Sequence, residues 1–361
     1  QPQPTPSRHR PFVATTDSRQ PTAGKPTANS QQLARRAPQR APRVHSHAMS
    51  SQPVTHADAV PPPAIQEVSR GIHAYIQLDG SWFLNNAGCI TGERDAKLID
   101  TTGTEARAHA WQAAVRSITD LPVTALINTH HHADHTNGNF AWAPNTPIIA
   151  HEKCREEVRA SRPSRRSPVF PNTDFGDCPA TPATITFEDR MAVYVDDLRI
   201  ELIFMGPAHT TNDIVAWIPE RKLLFSGDLV FNGGTPFALF GSIAGWFDAL
   251  DRLGALGAET IVPGHGAVCG PEVFDTIRGY LGFVRDHARR GFEAGTPPLE
   301  LAQSLDLGPY AGLCDTERIV GNLHRAYSEL RGEPRGAALS LNTIFPEMVA
   351  YNGGQPLRCL A

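Results

Sequence analysis

The segment that most constrains this chain is the hexapeptide His130-His131-His132-Ala133-Asp134-His135, four histidines and a carboxylate in six residues. It directly follows the strand-like run Ala125-Leu126-Ile127-Asn128. Imidazoles crowded at a strand end pack poorly, so packing alone does not account for them. Neutral imidazole and carboxylate are preferred ligands for zinc and similar divalent ions. In an extended segment alternate side chains point the same way. His130 and His132 therefore share one direction, while Asp134 and His135 follow on the turn and aim at a second position. One short segment at a strand end can therefore feed two metals.

Three further residues have the same placement. His209 lies in Gly206-Pro207-Ala208-His209-Thr210, after a predicted strand at 198–205. Asp228 lies in Phe225-Ser226-Gly227-Asp228, after a strand at 223–226, and His265 in Val262-Pro263-Gly264-His265-Gly266, after a strand at 260–263. Flanking glycines permit tight turns and close backbone approach. Asp100, ending the strand Ala96–Ile99, lacks a histidine neighbour and is expected to orient the loop through hydrogen bonds. His131 fills the motif without touching metal. Structural zinc sites are closed and thiolate-rich, unlike this set. The six cysteines are scattered, with no C-x-x-C pair, and read as free thiols in a reducing cytoplasm.

Residues 1–48 hold eight basic residues and one acid, a net +7 that leaves −11 for the rest of a chain of net charge −4. Rich in Pro, Gln, Ser and Thr, that stretch buries too little to offset chain entropy and is expected to be disordered. It reads as an upstream extension before an ordinary start at Met49; the competing reading is a basic tail with a partner. The overall charge points to neither nucleic acid nor membrane, and no run of 18 apolar residues offers a span. We expect a disordered, basic, Pro-rich extension over 1–63, a catalytic domain over 64–270, and a helical extension over 271–361 packed on the same domain.

Strands are predicted at 72–77, 82–90, Ala96–Ile99, 125–128, 147–150, 198–205, Ile214–Ile218, 223–226 and 260–263. Helices are predicted at Glu105–Ile118, 152–161, 246–256, 271–290, 299–304 and 316–330. The Pro-rich stretch 162–182 is expected to be a flap beside the site. Strands then a helix, twice over, give an α/β protein of two halves packed sheet on sheet with helices outside.

In order and spacing, H-x-H-x-D-H, His209, the Gly-Asp pair and the final Gly-His resemble the metallo-β-lactamase superfamily, over about residues 66–268. The resemblance implies an αββα sandwich with a C-terminal helical extension and a dinuclear site at one sheet edge. It implies that His130, His132 and His209 hold one zinc, that Asp134, His135 and His265 hold the other, and that Asp228 bridges them; iron or manganese suits the same donors. True β-lactamases usually carry Cys at the position of Asp228. That departure points towards the glyoxalase-II-like thioesterases.

A second likeness lies outside the metal motif. Gly206–Thr210, the run 235–245 (TPFALFGSIAG), Asn322-Leu-His-Arg-Ala326 and the tail 349–355 resemble the actinorhodin-type ring cyclases of aromatic polyketide biosynthesis. This implies a cyclase and thioesterase acting on a polyketide tethered to an acyl carrier protein, with Asp134 and Asp228 serving the chemistry. Trp82, Asn86, Phe237, Phe240 and Tyr351 are the expected substrate wall, with Asn85 at the same mouth. The alternative is a general glyoxalase-II-like hydrolase of small thioesters or lactones. For that reading Arg278, Arg285, Arg289 and Arg290 offer a glutathione-binding face; they equally offer a dock for an acidic carrier protein.

Overall fold

Alternation along the strands sets the layers in the computed structural model, which describes residues 60–361. The first sheet has seven strands in sequence order: β1 (Ala64–Ser69), β2 (Ile72–Ile76), β3 (Ala87–Thr91), β4 (Ala96–Ile99), β5 (Val123–Ile127), β6 (Ile148–His151) and β7 (Ile185–Phe187). Pairing is antiparallel up to β4 and parallel from β4 to β7. The second sheet comprises β8 (Arg190–Val195), β9 (Leu198–Phe204), β10 (Ile214–Ile218), β11 (Leu223–Asn232) and β12 (Thr260–Gly266). Its spatial order is β12-β11-β10-β9-β8, with only the β11–β12 pair parallel.

Ile99, Ile127 and Ile149 face the second sheet and meet Leu202, Ala216, Phe225 and Val262 in the central core. Their neighbours Leu98, Leu126 and Ile148 point the other way. There they cover Trp111 and Val115 of α1 (Glu105–Ile118) and Cys154 and Val158 of α3 (Glu152–Ala160). The short α2 (Ala133–Thr136) lies between them in the chain. The outer face of the second sheet packs on α4 (Ile243–Leu256), α5 (Val273–Glu293), α6 (Pro298–Ser304), α7 (Arg318–Leu330) and α8 (Leu341–Tyr351). The layers are thus helices, sheet, sheet, helices, and α5 to α8 share one core with α4 and the second sheet. All six cysteines are free. No helix among the described residues is long and apolar enough to cross a membrane.

Several expectations change. The predicted strand 82–90 is a strand only from Ala87. Before it the chain turns, with Phe83 at φ 63 and the Leu84 amide donating to Ser81 O. Strands β1, β7 and β8 and helix α8 were not expected. The β8–β9 hairpin turns at Asp196-Asp197 without the glycine that usually marks such a turn; Asp196 itself adopts φ 49. Helix α8 contains Pro346, which reads in sequence as a helix breaker. The expected disordered extension falls outside the described residues up to 59; residues 60–63 carry no regular element.

Leu126 and Ile127 are fully buried on opposite faces of β5. Leu126→Ala and Ile127→Ala should each lower the unfolding free energy by about 2–5 kcal/mol, read from urea denaturation. A wild-type midpoint in either variant would contradict this layering.

Candidate metal centre

Strand ends and bulges place every histidine of the motif. β5 stops at Ile127, Asn128 and Thr129 pass the sheet edge, and His130 to His135 turn into α2. His209 follows β9 by five residues. Asp228 and His265 lie inside β11 and β12, not beyond them. The β11–β12 register shifts on both sides of Gly227, and such a bulge re-aims the next side chain. Gly227 has φ 51, and a Cβ on Gly264 would overlap Asp228 Oδ1.

These residues form two groups that share one member. His130, His132, His209 and Asp228 form one; Asp134, His135, Asp228 and His265 form the other, with ligand atoms within 4.8 Å of one another in each. His209 Nε2 lies 2.9 Å from His132 Nδ1 and 3.3 Å from Asp228 Oδ2. His265 Nε2 lies 3.1 Å from Asp134 Oδ2, and His135 Nε2 lies 3.0 Å from Asp228 Oδ1. Donors about 2.0–2.2 Å from a tetrahedral ion sit roughly 3.3–3.6 Å apart, at or a few tenths of an ångström above these spacings. His130 Nε2 is buried and makes no hydrogen bond, and His135 Nε2 and Asp228 Oδ1 are buried with no partner but each other. Buried polar atoms rarely stay unpaired, so unpaired atoms converging on two points fit divalent cations.

The far side of the imidazoles is well bonded. His135 Nδ1 is 2.8 Å from Asp100 Oδ2, His209 Nδ1 is 2.6 Å from Phe237 O, and His265 Nδ1 is 3.0 Å from Gly80 O. Each acceptor draws the ring proton to Nδ1 and leaves the Nε2 lone pair for the metal. Asp100 also accepts from the Thr129 amide and hydroxyl at 2.7 and 2.6 Å, so it fixes both the ring and the loop beneath it. His131 lies apart from both groups and bonds Asn212.

Electrostatics separate the two groups. Burial, reinforced by neighbouring imidazoles, holds His130 and His132 well below the usual histidine range, and burial takes His209 down to about 4. For His135 and His265 burial acts the same way, but the carboxylates led by Asp228 outweigh it. His265 is pushed up to about 9 and His135 well above its usual value. Near neutrality the metal-free second group therefore holds protons that a cation must displace, and the first does not.

The same cluster floors a cavity of about 160 Å³. Three of the residues expected at a substrate wall, Trp82, Phe237 and Phe240, line it. Asn86 does not: its amide donates to Pro263 O and Gly266 O at 2.9 and 2.7 Å, pinning the loop of His265. Asn85 likewise turns inward and donates to Thr101 O. Tyr351 closes α8 rather than a free tail and is not on the wall; α8 contributes Phe345 instead. Phe83, Phe170, Phe231 and Arg318 complete the lining. Phe170 comes from the Pro-rich stretch expected to flank the site. Nothing in the local sequence marks Arg318.

Two outcomes follow from this geometry. Asp100→Asn should weaken metal binding about 10- to 100-fold, measured by chelator competition; unchanged affinity would remove Asp100 from the centre. Because ligands must lose protons before binding, affinity at the His135/His265 group should rise with pH from 6 to 9, while the first group stays nearly flat. Calorimetric titrations at several pH values, counting protons released, would show a single common slope if this were wrong.

Comparison with known proteins agrees with this architecture. The sequence model of the metallo-beta-lactamase superfamily matches residues 80–265. The alpha subunit of 2,4-dinitroanisole O-demethylase from Nocardioides sp. (strain JS1661) is 32% identical over 182 residues, 49% of this chain and 51% of that protein. A hydroxyacylglutathione hydrolase from Rhodospirillum rubrum is 31% identical over 140 residues, 39% of this chain and 46% of that protein. The chain thus spans about half the length of these relatives. A solved metallo-beta-lactamase from Pontibacter korlensis, 19% identical, superposes with a TM-score of 0.51 over 61% of this chain and 99% of its own. The chain belongs to the metallo-beta-lactamase superfamily.

Proposed function

We propose that this protein is a dinuclear zinc thioesterase and cyclase, acting on an aromatic polyketide intermediate carried by an acyl carrier protein. The observation that carries this reading is the wall beside the metal ligands: Trp82, Phe83, Phe170, Phe231, Phe237, Phe240 and Phe345 surround one cavity. An apolar cavity of about 150 Å³ accommodates benzene, so the enclosed part suits one aromatic ring. The relative named for an aromatic ether, 2,4-dinitroanisole, accords with such a pocket. A second groove of about 360 Å³ adjoins it, sharing Phe83, Ala133 and Phe170. Its Arg162, Arg166, Ser161, Ser164 and Ser167 offer the donors that suit the phosphate of a carrier arm.

Bound divalent ions would supply Lewis acidity and make a water easier to deprotonate near neutral pH. The chain's own part is positioning and proton handling. Asp134 lines the cavity with one oxygen 3.1 Å from His265 Nε2. That carboxylate takes the proton of the attacking water and returns it to the departing thiolate. In ring closure it takes the α-proton instead. The aromatic wall stacks the ring and excludes bulk water.

The sequence relatives named hydroxyacylglutathione hydrolase favour a second reading, cleavage of small glutathione thioesters. The arginines suggested for that role face elsewhere. Arg278 pairs with Asp251 at 2.6 Å, and Arg278 and Arg285 lie over Phe247 at 5.8 and 4.9 Å. None of the four lines the metal cavity.

Zinc-loaded protein incubated with an aromatic polyketide thioester on carrier protein should give released or ring-closed product by mass spectrometry. Asp134→Ala should lower that rate about 10²- to 10⁴-fold. Turnover of S-lactoylglutathione alone would favour the second reading over the first.

A further inference from the structure

One wall of the metal cavity holds a buried cation that thioester cleavage does not itself require. Arg318, the first residue of α7, is 2% exposed. Its guanidinium sits 4.0 Å from the Trp82 ring centre, 5.2 Å from Phe231 and 5.9 Å from Phe237. The Trp82 indole donates to Glu317 Oε1 at 2.7 Å, so the same helix start fixes the ring and the cation stacked on it. One guanidinium nitrogen donates to Thr235 O at 3.0 Å, and another pairs with Asp315 Oδ2 at 2.9 Å. The third, Nε, is buried with no partner.

Guanidinium has five donors in a fixed fork and cannot shed its proton. A buried donor left unmade is costly, and removal of one partner from a buried ion pair is worse than absence of both. A purely apolar ring filling this cavity would displace any water from Nε and offer nothing in return. A ring that carries an oxygen would complete the set.

We propose that Arg318 is the floor of an oxygen subsite, and that the substrate's aromatic group bears a second oxygen besides the scissile carbonyl: a phenol, enol or ring ketone. The ring lies against Trp82 and Phe237, the scissile carbonyl faces the His/Asp cluster, and the second oxygen accepts from Arg318. This rests on the aromatic reading of the pocket above. It adds a selection rule: oxygenated rings are taken in preference to bare ones.

The test reads binding, so it does not depend on turnover. Benzoate and the 2-, 3- and 4-hydroxybenzoates are titrated calorimetrically into zinc-loaded protein. At least one hydroxy isomer should bind about 10- to 100-fold more tightly than benzoate, the range expected for a hydrogen bond to a charged donor. Arg318→Lys should reduce that advantage. Because Arg318→Met would strand the Asp315 carboxylate, the second variant is the double change Asp315→Asn/Arg318→Gln, checked for metal content and circular dichroism. There the advantage should vanish. Equal binding of all four acids by the wild type would overturn the proposal. So would an advantage that survives the double change, since the metals alone would then be reading the oxygen. Failure to hydrolyse any aromatic thioester, with the binding preference intact, would sink the thioesterase reading and leave the subsite standing.

Discussion

The centre depends on one shared carboxylate. Asp228 is buried and belongs to both ligand groups, with His209 at 3.3 Å, His135 at 3.0 Å and His265 at 3.4 Å. The imidazoles around it depress its own pKa well below the usual carboxylate range despite burial. A charge so enclosed is tolerable only with compensating partners. Those partners come from β12 and the turns after β5 and β9, so the two packed sheets must bring these strand ends to one side for the charge to be satisfied. Gly264 lets β12 approach β11 at Asp228, and Gly227 lets β11 approach Thr129 after β5. Fold and centre are therefore one arrangement.

Around that carboxylate runs a ring of hydrogen bonds that ties distant loops to the ligands. Gly80 O holds His265, Asp100 holds His135, and Phe237 O holds His209. The loop of Phe237 is fastened in turn by α7. Arg318, Asn322 and Arg325 lie on one face of that helix at i, i+4 and i+7 spacing. Arg318 donates to Thr235 O, Asn322 to Pro236 O, and Arg325 to Leu239 O. Asn322 Oδ1 also accepts from the Ala238 amide at 2.7 Å. The C-terminal helices thus do more than cover the second sheet. They set the loop that carries both an aromatic wall and the acceptor orienting a ligand histidine.

This coupling gives a structural part to two of the stretches whose likeness to ring cyclases marked them in the sequence, 235–245 and Asn322–Ala326. They are the two sides of one interface, 84 residues apart at the Ala238–Asn322 hydrogen bond. A pairing of that span leaves no periodic trace, because loop carbonyls accept from any donor that reaches them.

Local chemistry alone picked out the candidate ligands that the structure brings together. H-x-H-x-D-H after an apolar run, and His or Asp beside glycine after three others, are short-range patterns whose spacing follows from strand geometry and metal preference. The two sheets with helices outside were also legible, since β-branched alternation is local. Tertiary structure decided what lies around the metals. Residues 82–86 read as strand, yet Asn85 and Asn86 are drawn away by carbonyls of Thr101, Pro263 and Gly266. Tyr351 and Phe345 are equally aromatic in sequence, and only the path of α8, carried through Pro346, puts Phe345 in the cavity. Arg318 is a common residue in a helical pattern; its burial among Trp82, Phe231 and Phe237 arises from contacts between segments more than 80 residues apart. Metal ligation is read in the sequence because it depends on a few neighbouring atoms. Substrate shape is not, because a cavity is the space left where remote segments fail to meet.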